Sequence, residues 1–144
     1  MDAFVTLNIF RMRIKKEIDV SFGKVKVEKM EKLRVWWIPQ MCAIKSFYVP
    51  VETVEEGKKV MDMLAAYDAY QRQNRIKPDY CNCGGLQMWD EKEKEWCDWY
   101  TEEENNYFDN VDDYCKQCEK ADELKEFNRQ MFAQIDWEKI REMS

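Results

Sequence analysis

The chain has 144 residues, 45% of them hydrophobic and 14% aromatic, with only 4 Gly and 3 Pro; this is the length of one domain, and the composition excludes collagen-like, low-complexity and wholly disordered chains. No apolar run approaches the roughly 18–20 residues of a membrane span, and Met1-Asp2-Ala3-Phe4 does not open a secretory signal. The net charge is −6, with seven basic and four acidic side chains in residues 1–29 and −9 on the remainder, a balance that disfavours long nucleic acids and anionic membranes as partners.

Residues 1–29 alternate loosely (Val5, Leu7, Ile9; Ile18, Val20, Phe22; Val25, Val27), a period of two that suggests strand more than helix. Met30-Glu31-Lys32-Leu33 looks like a second start, and Val27-Glu28-Lys29 can be encoded by a purine-rich stretch resembling a ribosome-binding site. Residues 1–29 are therefore read as an N-terminal extension from a misplaced start. Residues 30–103 are read as the core, and 104–144 as an acidic segment followed by helices.

In the core, residues 33–38 are β-branched and aromatic and end at Pro39; residues 44–49 form a second strand stopped by Pro50. Their short linker predicts an antiparallel pair. Thr53 with Glu56 is a capping box opening a helix to about residue 74. Val54, Gly57, Val60, Met61, Leu64 and Tyr67 make its apolar face, with Gly57 allowing close approach to a sheet. Pro78 makes residues 75–80 an exit loop. After Gly84-Gly85, residues 86–89 and 95–100 read as strands around a charged turn. The order β-β-α-β-β predicts an α+β fold: a four-stranded, mostly antiparallel sheet with one packed helix and a C-terminal helical extension. Residues 102–113 carry six acidic and no basic side chains and are expected as a solvated loop or helix start. Helices are expected over about 112–120 and 122–142. The second bears a stripe of Leu124, Phe127, Met131, Ile135 and Ile140 that would dock on the sheet or on another subunit as a homo-oligomer.

Six cysteines are present, Cys42, Cys81, Cys83, Cys97, Cys115 and Cys118. Without a secretory signal they are expected as reduced thiols. The alternative is a zinc site from Cys81, Cys83, Cys115 and Cys118, four soft ligands that would have to converge tetrahedrally. A redox role for Cys115-x-x-Cys118 is disfavoured, because Asp112, Asp113 and Glu119 beside it would raise a thiol pKa.

There is no histidine. That excludes Ser–His and Cys–His nucleophiles and removes the usual general base near neutral pH. No catalytic residues and no cofactor are assigned; an acid–base enzyme would have to use Asp79 or Asp90. The candidate ligand-binding residues are Trp36, Trp37, Arg75, Lys77, Asp79, Tyr80 and Asn82. Adjacent tryptophans on a strand face opposite ways, so one can pack in the core while the other offers an aromatic platform. Arg75 and Lys77 can capture phosphate, Asp79 or Asn82 can read hydroxyls or base edges, and Gly84-Gly85 can bring backbone N–H groups to an anion. The competing reading is core packing for the tryptophans and loop anchoring for the rest.

The strings Arg34-Val35-Trp36-Trp37-Ile38-Pro39-Gln40, Val54-Glu55-Glu56-Gly57, Tyr67-Asp68, Ile76-Lys77-Pro78-Asp79-Tyr80, Gly84-Gly85-Leu86, Trp89-Asp90 and Glu95-Trp96 with Trp99-Tyr100 resemble a family of small phage-encoded superinfection exclusion proteins. The resemblance covers about half the chain. It implies a phage gene acting inside a bacterial cell, in the host cytoplasm, and brings no catalytic residues. The function expected is a counter-defence protein that binds and sequesters a host component without catalysis, most sharply a nucleotide-like immune signal. The alternative is a protein-interaction module that inhibits a host or phage protein through its acidic 102–113 surface.

Overall fold

In the computed structural model the chain runs β1 (Ile14–Asp19), β2 (Lys24–Lys29), β3 (Leu33–Ile38), β4 (Phe47–Val51), α1 (Val54–Gln73), β5 (Cys83–Asp90), β6 (Glu95–Asp98), β7 (Thr101–Glu103), β8 (Asn106–Phe108), α2 (Val111–Gln117), α3 (Ala121–Phe132) and α4 (Trp137–Glu142). The structure describes residues 14–19 and 24–29 by backbone, and residues 32–41 and 45–143 with side chains. β1 and β2 form an antiparallel pair, in keeping with the period-two pattern there; the rest of residues 1–29 lies outside the described residues.

The central sheet has the order β4-β3-β5-β6, and every neighbouring pair is antiparallel. The fold is α+β, as expected. Strand alternation separates the faces. Leu33, Val35 and Trp37 on β3, Val51 on β4, and Leu86 and Met88 on β5 are buried under α1. Val54, Val60, Met61 and Leu64 of the helix pack against this cluster. Each such side chain contributes about 1.5–3 kcal/mol by leaving water. Gly57 permits the approach, because a Cβ there would lie 2.9 Å from Leu86 Cδ1. The capping box forms: Thr53 Oγ1 accepts from the Glu56 N–H at 3.1 Å, and Glu56 Oε2 accepts from the Glu52 N–H at 2.8 Å.

Four local expectations are corrected. Tyr67 is 56% exposed rather than part of the buried face. At about 100° per residue it lies about 80° off the line through Gly57, whereas Asp68 returns to within about 20° of it and is buried. Pro50 does not stop the second strand but lies inside β4. An edge strand tolerates proline when the missing N–H faces outward. The fourth core strand ends at Asp98, and residues 101–108 fold as a hairpin, so that of the loop or helix start expected over 102–113 only the helix start remains, at Val111. Glu104 and Asn105 at its tip both have positive φ, 47° and 70°, the conformation that a two-residue hairpin turn of matching twist requires. Finally, the long helix expected over 122–142 is two helices. Asp136 caps α4 by accepting from the Lys139 N–H at 3.0 Å, and its own N–H donates to Gln73 Oε1 at 2.9 Å. The break lets Trp137 stack on Phe132 and meet the ring of Tyr80 edge-on.

Candidate functional site

The exit loop after α1 is organised by a carboxylate that the sequence reading did not single out. Asp68, 3% exposed, sits one helical turn beyond Leu64 on the sheet-facing side of α1. Its Oδ2 accepts from Trp37 Nε1 at 2.9 Å and from Asn82 Nδ2 at 2.9 Å. Its Oδ1 lies 3.4 Å from Lys77 Nζ. The Lys77 ammonium also donates to the Pro39 carbonyl oxygen. Three predicted site residues, Trp37, Lys77 and Asn82, thus converge on one buried acid. This arrangement neutralises the lysine and satisfies the indole N–H, as buried polar groups require.

The other predicted residues are placed separately. Asp79 Oδ1 accepts from Gln40 Nε2 at 2.6 Å. The Tyr80 hydroxyl donates to the Ala65 carbonyl at 3.3 Å, and burial pushes its pKa up. Arg75 is exposed just past the helix end at φ 61°, its N–H donating to the Arg72 carbonyl at 3.0 Å. Trp36 points to the sheet face opposite α1, its indole over Gly85, where an added Cβ would lie 2.8 Å from Nε1. On that same face the Arg34 guanidinium lies between two rings, 3.8 Å from the centre of Tyr48 and 4.2 Å from that of Trp96. Its Nε donates to Gln87 Oε1 at 2.8 Å. Trp96 in turn meets Trp89 edge-on at 5.5 Å.

Among the described residues no three Cys, Asp or Glu side chains converge as a metal would require. Cys81 and Cys83 are exposed beside Asn82, whereas Cys115 is buried in α2. Burial pushes the Cys115 thiol up to about 12, with Cys118 and Glu55 adding to the shift, so it is no nucleophile near neutral pH.

Trp36 and Trp37 do share a hollow, of about 580 Å³, at the sheet edge where β6 ends. Gly84 and Gly85 form its floor, and Lys58, Met61 and Asp62 of α1 form one wall. Asp98, Asp109 and Asp112 stand around it, while Arg75, Lys77, Asp79, Tyr80 and Asn82 are not in its lining. Lys58 Nζ bridges Asp62 Oδ1 at 2.5 Å and Asp112 Oδ1 at 3.3 Å. One cation against four carboxylates leaves the hollow negative. Sequence spacing carried part of this signal, since Lys58 and Asp62 are an i,i+4 pair. Asp62 and Asp68 also interrupt the buried side of α1, where a charge needs a partner.

These features define an α+β scaffold, its sheet covered by a helix on one face and bordered by an acidic hollow. The model of the family described as superinfection exclusion gene product 17 matches residues 32–120. The superinfection exclusion protein of Salmonella phage P22 is 52% identical over 82 residues, an alignment spanning 49% of this chain and 79% of that protein. The chain belongs to the superinfection exclusion gene product 17 family. No solved structure matches it. No helix among the described residues is long and apolar enough to cross a membrane.

Proposed function

We propose that this protein serves superinfection exclusion in the host bacterial cytoplasm as a binding protein without turnover, and that it captures a protein with a basic surface. The observation that carries this reading is the β7–β8 hairpin and the loop after it. Glu102, Glu103, Glu104 and Asp109 are exposed there, and no Lys or Arg among the described residues forms an ion pair with them. Unneutralised like charges repel one another, and a basic partner would relieve that repulsion while being steered toward it. The test is plating efficiency of a superinfecting phage on cells carrying the gene. Glu102→Lys, Glu103→Lys and Glu104→Lys together should abolish exclusion while the circular dichroism spectrum is kept; undiminished exclusion by the triple variant would remove the reading.

Sequestration of a nucleotide immune signal is the second reading. The grouping of Trp36 and Trp37 with Gly84 and Gly85 in one hollow supports it. It ranks lower because Lys77 is already paired with Asp68, which leaves Arg75 as the exposed cation of that loop, and because the hollow itself is acidic. Calorimetry with cyclic and ADP-ribose-type nucleotides decides between the two: heat that disappears in Trp36→Ala would reverse the ranking.

A further inference from the structure

The acidic hollow also contains a strand edge that no described residue pairs. The Trp89 N–H donates to the Lys32 carbonyl at 3.0 Å, so odd-numbered residues of β5 bond toward β3. The Trp99 N–H donates to the Leu86 carbonyl at 3.0 Å, so even-numbered residues bond toward β6. The β5–β6 ladder ends at Gln87 opposite Asp98, and beyond Trp99 the chain leaves for β7. Gly84 continues the even set. Its N–H and C=O therefore point along the line that β6 has vacated, into the hollow. A side chain at this position is excluded, since a Cβ would lie 2.1 Å from Trp37 Cε3. The backbone of Gly84 thus stays open to an approaching strand.

A second observation gives the chemistry of what approaches. Asp62, 7% exposed, forms part of the α1 wall of the hollow; its Oδ1 accepts from Lys58 Nζ at 2.5 Å, and its Oδ2 is buried with no hydrogen-bond partner among the described residues. A buried carboxylate oxygen left unpaired is costly, and a cationic donor would satisfy it. Asp98 and Asp109 add negative charge at the mouth. The described residues offer no converging ligand set for a metal ion, which leaves an ammonium or guanidinium group.

We propose that the hollow receives an extended basic segment of another protein, which adds alongside β5 by main-chain hydrogen bonds to Gly84 and sets a lysine or arginine against Asp62, while Asp98 steers it from the far face of the sheet at the mouth. Strand addition of this kind draws affinity from the backbone and specificity from the side-chain pocket. The proposal rests on the protein-capture reading above and names where the partner docks.

The test uses a capped, fluorescently labelled pentapeptide alternating valine and arginine, titrated into the full chain at low salt. Three competitors are compared: the same peptide with citrulline for arginine, the same peptide with N-methylated backbone, and spermidine. Saturable binding of the parent peptide is expected, roughly tenfold weaker for the citrulline and N-methyl forms. Asp98→Lys, at an exposed position, and Asp62→Asn should each cause a similar loss. Equal binding of the N-methyl peptide would reduce the site to diffuse charge attraction and overturn the proposal, as would spermidine competing as well as the parent. Plating separates the two levels. Exclusion kept by Asp98→Lys but lost by the triple hairpin variant removes the hollow and leaves acidic capture standing. Peptide binding at the hollow, with exclusion untouched by either variant, removes the functional reading and leaves the site.

Discussion

At the scale of single residues, Asp68 decides more than any residue the exit loop exposes. It accepts from Trp37 and Asn82 and lies against Lys77, which is 8% exposed. Asp68→Ala would leave that ammonium buried without its counter-charge, a change that costs about 3–5 kcal/mol. Asp68→Asn keeps an acceptor for the indole and should cost less. Urea unfolding checks the order, and a loss below about 1 kcal/mol for Asp68→Ala would mean that the network is solvated and weak. Cys115 makes a separate prediction about pH. Its thiol is raised from 9.0 to about 12 by burial, and Tyr114 beside it is raised from 10.0 to about 12 by burial and by Glu55. Above about pH 9 the unfolded chain gives up these protons while the native chain keeps them, so the native state binds more protons and stability falls as pH rises toward about 12. Below about pH 8 neither group contributes. Cys115→Ala should flatten the decline in urea midpoint between about pH 8 and about pH 10. The tryptophan pair was legible in the sequence because strand alternation is strict. The fate of Lys77 was not, because a basic residue beside a proline reads the same whether it faces water or a buried acid such as Asp68, which only the fold brings to it.

Elements were legible where two signals coincided. For α1 an apolar stripe begins at a capping box, and both features form. Thr53→Ala removes the acceptor for the Glu56 N–H and should cost about 1 kcal/mol in urea unfolding with no change of fold; a neutral result would mean that Glu56 alone holds the helix start. β3 was equally clear, bounded by Pro39 and rich in β-branched and aromatic residues. The β7–β8 hairpin was missed because its tip, Glu104-Asn105, puts a glutamate at positive φ, a conformation that glutamate composition does not announce. The break between α3 and α4 was missed for a related reason. The apolar stripe runs on through Ile135 to Ile140, and only the hydrogen bonds of Asp136 with Gln73 and Lys139 mark the interruption.

For the whole molecule, the α+β class followed from element order, since β-β-α-β-β leaves few ways to bury one helix face on a sheet. The candidate site was legible in part. Trp36, Trp37, Gly84 and Gly85 share a hollow, but Lys77 and Asn82 of the loop expected to complete it are held by Asp68, and Arg75 points away as an exposed cation, a division about which local pattern says nothing. What the hollow gains instead is carboxylates drawn from β6, from α1 and from the segment around α2, an assembly that only tertiary packing brings together. The two ends of the sheet are also unlike. Because Phe47, Val49 and Val51 lie opposite the odd-numbered residues of β3, which turn their backbone groups toward β4, Tyr48 and Pro50 face the edge that no described strand pairs. Pro50 brings no donor to that edge. A copy of the chain trying to zip on there would find a gap in its ladder, while the far border accepts a visitor only over the short length left by β6. Growth into fibres is thereby discouraged, and a guest strand terminates the sheet instead of extending it.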